Sequence, residues 1–168
     1  MRRRINLAGA ALCVCSLAFV ASSATAASTK AKASPTQKVA CSSKTSTSIP
    51  AGETSVAPPL QQGDDYGTIS CAKLFGAGVQ KDAFVVPGSG DTVAKYWLYF
   101  GAGTLHGTYD LSPQGEPANF LETDWTGTMK VLGGTGAYKG VTGTGTMTCK
   151  TLDSVHTTCT DKLKLKGA

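Results

Sequence analysis

The chain has few of the residues that build common catalytic and metal sites. Arginine occurs only at positions 2–4 of the 168 residues, and histidine occurs twice, as His106 and His156. The sequence has no C-x-x-C pair and no G-x-S-x-G motif, and neither histidine has a partner at metal-ligand spacing. These absences argue against a metal site and against a Ser-His-Asp nucleophile. The sequence therefore predicts no metal, no cofactor and no catalytic residue.

Residues 1–26 have the pattern of a signal peptide. Three arginines precede an apolar run at 7–21, which is shorter than the ~20 residues needed to cross a bilayer. Small residues at 24–26 predict cleavage after Ala26. We expect a secreted, bacterial extracellular protein with no membrane span after cleavage, exported by either the general or the twin-arginine route. Residues 27–40 are expected to be a flexible tether, and residues 41–168 a single folded domain.

The remaining charge is small and spread along the chain. Cleavage would lower the formal net charge from +5 to +2, because the three arginines are removed. The lysines form no dense basic run, so we expect no nucleic-acid partner. Lys162, Lys164 and Lys166 alternate near the end of the chain. We interpret them as a solvated strand face or as lysine protection of a sheet edge.

Four cysteines remain after cleavage, and an even number in an exported chain suggests two disulfides. Three pairings are open to four cysteines. Cys149 shares its strand face with Met147, and Cys159 shares its face with Leu163, so both lie on the apolar side of adjacent strands. We therefore predict a Cys149–Cys159 bridge and, by elimination, a Cys41–Cys71 bridge, both with a structural role.

Alternation of polar and apolar residues is the main structural signal. Trp125 and Met129 share one parity while Thr126 and Thr128 share the other, as in a strand with one buried face. No window of 11 or more residues after the signal has a convincing helical period. Strands are predicted at 66–74, 78–86, 92–100, 104–111, 120–132, 141–150 and 155–166. Since closure removes exposed sheet edges, we predict an all-β fold, an antiparallel β-barrel of about eight strands stapled by disulfides.

Residues 99–150 resemble the barrel shared by allene oxide cyclases and plant dirigent proteins. The resemblance lies in GTLHGTYDLSP at 103–113 and TDWTGTMKVLGGTGAYKGVTGTGTM at 123–147. It implies an eight-stranded barrel with a central cavity, and a homo-oligomer, often a trimer. It carries no activity over, because the cavity residues of those families are not matched here one by one. An arginine-assisted site is excluded by composition. The turn that matches is structural, with glycines that permit left-handed backbone and a tyrosine that caps the barrel end: Gly133, Gly134, Gly136, Tyr138 and Gly140.

Aromatic side chains are the candidates for binding a ligand. Tyr99, Tyr109 and Trp125 have parities compatible with a barrel interior and are expected to line an apolar cavity, or else to form its core. Two pairs of possible acid–base residues, Glu122 with Asp124 and His106 with Asp110, lie on polar faces that we interpret as solvated.

The sequence leaves three functions open. The first is a secreted barrel without evident catalytic machinery that binds a small apolar molecule or acts as a surface-interaction module. The alternative is a cofactor-free cyclase or isomerase that steers a hydrophobic intermediate inside the barrel. A structural protein whose threonine-rich faces bind polymer or protein is the third. A carboxyl group with a perturbed pKa inside the barrel would favour the enzyme.

Overall fold

Eight antiparallel strands follow one another around a closed barrel. The computed structural model describes residues 35–48, 60–72, 74–87, 90–114, 123–151, 153 and 155–168; the predicted signal peptide and residues 27–34 of the tether lie outside these ranges. No helix among the described residues is long and apolar enough to cross a membrane. The strands are β1 (Gln37–Ser48), β2 (Leu60–Cys71), β3 (Gly76–Pro87), β4 (Thr92–Phe100), β5 (Gly103–Gln114), β6 (Asp124–Gly134), β7 (Thr142–Thr151) and β8 (His156–Lys166).

The first strand pairs with both the second and the last, which closes the sheet. The predicted all-β barrel is therefore confirmed. Closure also overturns one interpretation of the terminal lysines. Lys162, Lys164 and Lys166 lie on β8, which is paired on both sides with β7 and β1. Because β8 is not an edge strand, its lysines do not protect an edge.

Strand β1 is the element that the sequence did not predict. It begins at Gln37, so residues 37–40, assigned to the tether, belong to the barrel. Its inward positions include Ser43 and Thr45, both buried, where an apolar residue would have revealed the alternation. The other seven strands lie where alternation predicted them, with shifted ends; β2, for example, begins at Leu60 rather than at residue 66.

Both disulfides join residues that face each other across neighbouring strands. Cys41 pairs with Cys71 between β1 and β2, and Cys149 pairs with Cys159 between β7 and β8. Each bridge has a Cα–Cα distance of 4.0 Å. The predicted pairing is confirmed, and the Cys41–Cys71 bridge fastens β1 to the barrel.

One end of the barrel is closed by aromatic side chains. Phe75, Phe100 and Tyr138 are buried there, with ring centroids 4.9–6.0 Å apart, and we call this the aromatic end. Tyr138 ends a short 3-10 turn, Gly136–Tyr138, that connects β6 to β7. Gly136 and Gly140 have φ angles of 60° and 83°, which favour glycine.

Gly133 and Gly134 serve a different purpose from the one predicted. Neither has a positive φ, and both are residues of β6 rather than of the turn. A Cβ atom at Gly134 would lie 2.5 Å from the carbonyl oxygen of Tyr138 and 2.6 Å from that of Thr104. Close approach of neighbouring backbone, rather than left-handed conformation, therefore requires glycine at Gly134.

Candidate functional site

Inward-facing side chains become more exposed toward the end of the barrel that lies opposite the aromatic end. Thr47, Asp65, Phe84 and Trp125 occupy inward positions toward this end of the barrel and are half-buried, whereas inward residues nearer the middle are buried. We call this the Trp125 end. Solvent therefore reaches the first layer of the interior from this side.

A row of polar side chains crosses the interior just below the Trp125 end. Register places Thr47 opposite Asp65, Asp65 opposite Asp82, and Asp82 opposite Tyr96. Side chains directly opposite on one sheet face have Cβ atoms about 4.5–5.5 Å apart. Two carboxyl groups, Asp65 and Asp82, therefore face each other inside the barrel. Like charges in that arrangement are destabilising, so the pair favours holding a proton.

A third carboxyl group comes from the opposite wall. Asp161 lies on β8, between Cys159 and Leu163 on the inward face, and is 2% exposed, while Asp82 is 1% exposed. The charge of Asp161 acts on Asp82 and on the hydroxyls of Tyr96 and Tyr109. The acids of β2, β3 and β8 thus form one electrostatic group around two tyrosines, which we call the interior acid cluster: Asp65, Asp82, Asp161, Tyr96 and Tyr109.

Burial changes the acidity of every member of this cluster. Desolvation raises the pKa of Asp82 to about 8, with further contributions from the charges of Asp65 and Asp161 and an opposing hydrogen bond from Gln80. Desolvation raises the pKa of Asp161 to about 7 and also raises that of Asp65. The pKa of both tyrosine hydroxyls rises for the same reason. At neutral pH Asp82 is therefore mostly protonated and Asp161 is about half protonated.

Some polar atoms of the interior have partners and others do not. Thr47 Oγ1 donates to Asp65 Oδ1 and Gln80 Nε2 donates to Asp82 Oδ2, both at 2.7 Å. Tyr96 OH donates to the carbonyl oxygen of Lys130 at 3.0 Å. Within the described residues, Asp82 Oδ1, one oxygen of Asp161, Gln80 Oε1 and Ser43 Oγ have no hydrogen-bond partner. These atoms are closed to solvent, and buried polar atoms are rarely left without a partner, which makes this part of the interior unusual.

The predicted aromatic residues divide between the two faces. Tyr109 is buried inside the barrel, where its ring stacks at 6.4 Å on that of Tyr96, and Trp125 is half-buried on the inward face of β6. The expectation for Tyr99 was wrong, because it lies on the outer face and is 43% exposed. Tyr96 takes the inward position on β4. Apolar residues on both parities of β4 hid the alternation.

Sequence reasoning did not select any of the three interior aspartates. The signal was present, since Asp161 has the parity of Cys159 and Leu163, and Asp65 has the parity of Ile69 and Cys71. An acidic residue at an apolar position of a strand is uncommon and points to a functional site. Of the acid–base pairs considered earlier, Glu122 lies outside the described residues, while His106, Asp110 and Asp124 are exposed as expected.

The acids are not arranged as a metal site. Among the described residues, no three His, Cys, Asp or Glu side chains come close enough together to hold a metal ion. The cluster offers protonated carboxyl groups that donate hydrogen bonds, and carboxylates that accept protons, at a pH near neutrality. General acid–base chemistry is most effective when the pKa lies near the operating pH.

Comparison with known proteins identifies the fold. No protein-family model and no curated protein sequence matches the chain. Among solved structures, a pterocarpan synthase dirigent protein is similar over 82% of this chain and 87% of its own, with 12% identity and a TM-score of 0.53. A pyocyanin demethylase is similar over 78% of this chain and 99% of its own, with 16% identity and a TM-score of 0.43. The dirigent-like barrel predicted from residues 99–150 is thus confirmed as a fold.

Proposed function

We propose that this protein binds a small molecule inside the Trp125 end of its barrel and transfers protons to or from it without a cofactor. The facing pair of Asp65 and Asp82 is the observation that carries the proposal. Of two carboxyl groups that face each other, the protonated one can donate a hydrogen bond while the ionised one accepts a proton. This is the arrangement expected of a cofactor-free isomerase or cyclase, and it favours that function over a barrel without catalytic residues.

The neighbours of the pair suit a ligand that is mostly apolar with one or two oxygen atoms. Phe84 and Trp125 are the half-buried aromatic side chains at this end, and Asp82 Oδ1 lies deeper with its hydrogen-bonding capacity unused. Small-molecule sites commonly combine apolar walls with a few convergent polar groups. One solved structure of similar fold is a pterocarpan synthase dirigent protein. A shared barrel fold does not by itself carry an activity over, so the proposal rests on the residues of the interior.

Secretion is part of the same proposal. Two disulfides join β1 to β2 and β7 to β8, and disulfides persist mainly in oxidising compartments outside the cytosol. Together with the signal-peptide pattern of residues 1–26, they support a protein that works outside the cell.

The proposal is tested with 4-nitrophenol, a small aromatic molecule whose absorbance reports the protonation of its oxygen. We expect it to bind the protein in its protonated form at neutral pH, because the desolvated interior disfavours the phenolate and the phenol O–H can donate to a carboxylate oxygen there. Asp82→Asn should weaken binding at least tenfold. Asp110→Asn, on the exposed outer face of β5, should change binding less than twofold. Equal loss in both variants, or no binding at all, would contradict an interior site.

A second candidate is an interaction surface on the outer wall. A depression of about 780 Å³ crosses the outer face of β2 to β6, with Ala83, Val85 and Val93 among its lining residues. Tyr66, Val79 and Tyr99 are also exposed on this side of the barrel. Exposed apolar patches often mark protein interfaces, which supports a surface-interaction module or a homo-oligomer. Sedimentation of the wild type and of Val93→Asp would show whether copies of the chain associate through this face.

A further inference from the structure

The wall formed by β6, β7, β8 and β1 presents an unusual outer surface. Its outward positions are dominated by threonine and lysine, whereas Asp124 is the single acidic residue at the outward positions of these four strands. We call this surface the Thr/Lys wall. The lysines are all exposed: Lys38, Lys44, Lys130, Lys150, Lys162, Lys164 and Lys166. The outward threonines on β7 and β8 are Thr142, Thr144, Thr146, Thr148, Thr158 and Thr160.

One pair of these lysines is electrostatically unfavourable, whereas Lys150 lies opposite Asp124 across β6 and β7. Lys38 lies directly opposite Lys164 across β1 and β8, and like charges in that position are destabilising. Among the described residues, no carboxylate lies within ion-pair distance of any lysine of this wall. Edge protection does not account for them, because the barrel is closed. A partner that carries negative charge would relieve this repulsion.

A depression in the wall provides a place for such a partner. It has a volume of about 570 Å³ and lies over β6, β7 and β8. Lys130, Lys164 and Lys166 line it together with Thr142 and Thr144, and no acidic residue does. Lys130 and Lys164 face Thr144 from either side, since both are its register partners. Cationic and hydroxyl groups therefore alternate around one recess.

The chemistry of the wall selects among polyanions. No Phe, Tyr, Trp or Arg side chain stands at the outward positions of these strands. His156 is the one imidazole there, and its Nδ1 lies 2.9 Å from the carboxyl group of Asp153. Nucleotide bases therefore find little on this wall to stack on. Threonine hydroxyls between the lysines can both donate to and accept from neutral hydroxyl groups that lie between the charges of a ligand, and inorganic polyphosphate has no such groups. Lysines two residues apart on β8 are about 6.8 Å apart along the strand. Several charges of one extended chain can therefore be bound together.

We propose that the Thr/Lys wall binds an acidic polysaccharide, with Lys130, Lys164 and Lys166 holding its carboxylate groups and Thr142 and Thr144 its hydroxyls. Attraction between exposed charges also guides the polymer to the surface and weakens as salt is added. This site lies on the outer face of the barrel and is separate from the interior acid cluster. It would hold the protein on an extracellular matrix while the interior remains available to a small molecule.

The experiment measures the affinity of the protein for polygalacturonate at about 50 mM salt, where charges are screened only beyond roughly 14 Å. Lys164→Gln/Lys166→Gln is expected to weaken binding at least tenfold. The matched control, Lys81→Gln/Lys95→Gln, removes the same charge from the other side of the barrel and should change affinity less than twofold. Thr144→Val, which keeps every charge, should weaken binding twofold to fivefold, and neutral dextran should not bind.

Other outcomes would overturn the proposal. Equal losses in the two lysine double variants would show that only net charge matters. Binding of single-stranded DNA or of polyphosphate as tight as that of polygalacturonate would remove the argument for a polysaccharide. Binding of 4-nitrophenol should be the same in Lys164→Gln/Lys166→Gln and in the wild type, so failure of this proposal and failure of the proposed function can be told apart.

Discussion

Buried aspartates make the stability of this protein decrease as the pH rises from 5 to 8. Asp82 and Asp161 have folded-state pKa values of about 8 and about 7, against 3.8 for an exposed aspartate. Between these limits the folded chain binds more protons than the unfolded chain. Linkage then requires the free energy of unfolding to fall with increasing pH. Asp65, whose pKa is also raised by desolvation, acts in the same direction.

The size of the effect follows from the number of protons involved. One proton held only by the folded state contributes about 1.4 kcal/mol for each pH unit. Between pH 5 and pH 6 both Asp82 and Asp161 are protonated when folded and ionised when unfolded, so unfolding becomes about 2.7 kcal/mol easier. The total loss from pH 5 to pH 8 is on the order of 6 kcal/mol, which is comparable to the whole stability of a small domain.

The assay is urea unfolding followed by the fluorescence of Trp97 and Trp125, at intervals between pH 5 and pH 8 with the disulfides intact. Asp82→Asn keeps an acceptor for Gln80 but removes one titration, so the free energy of unfolding should fall by about 1.4 kcal/mol less between pH 5 and pH 6 than in the wild type. Asp161→Asn should reduce the fall over that interval by the same amount, but the decline due to Asp82 should continue to about pH 8. Asp110→Asn, on the outer face, should leave the slope unchanged.

Two results would refute this reasoning. Stability that is constant or increases from pH 5 to pH 8 would mean that the aspartates are ionised in the folded barrel. A slope that stays the same in Asp82→Asn and Asp161→Asn would mean that other groups hold the protons. Both variants are expected to be more stable than the wild type at pH 8, because an amide carries no buried charge.

The remaining predictions concern packing and cross-links. Gly107→Ala would place a Cβ atom 1.8 Å from the carbonyl oxygen of Lys130. The substitution should therefore lower the free energy of unfolding, measured in urea, by about 3 kcal/mol or more. Gly101→Ala, which meets nothing within 4 Å, should change stability by less than about 0.5 kcal/mol. Replacing both cysteines of the Cys149–Cys159 bridge by alanine should lower the free energy of unfolding by about 3 kcal/mol. The same change at the Cys41–Cys71 bridge should lower it by about 4 kcal/mol, because that bridge joins residues 30 positions apart rather than 10. A larger loss for the shorter loop would contradict chain entropy as the cause.

Alternation and cysteine parity were sufficient to predict most of this fold. A strand with one buried face repeats every two residues, and a cysteine on the buried face can reach only a few others, so the bridges followed. Strand β1 was not predicted from the sequence because its inward positions include Ser43, Thr45 and Thr47. Polar residues on an inward face remove the very contrast by which a strand is recognised. Pairing with both β2 and β8, rather than local sequence, makes this segment a strand.

The same cause hid the candidate site. Inward side chains of β1, β2 and β3 are polar where the acid cluster lies. The apolar alternation is therefore interrupted around Asp82, and for Asp65 it can be followed only from Ile69 and Cys71 further along β2. The aromatic residues were easier to select, but β4 carries apolar side chains on both faces, and one of the three choices, Tyr99, lies outside. Only the register of neighbouring strands distinguishes the inward aromatic from the outward one.

Two pairs of residues that are adjacent in the sequence show why the net charge of the chain revealed neither the acidic interior nor the basic wall. Lys81 precedes Asp82 and Asp161 precedes Lys162, so each pair appears neutral in the sequence. Period-two alternation separates them, since both aspartates are buried and both lysines point outward. Lys81 instead lies 3.8 Å from Asp64 on the outer face. None of the described lysines lies within ion-pair distance of the buried acids. Binding a proton therefore replaces an ion pair as the means of keeping Asp82 neutral, which links proton uptake to folding near neutral pH.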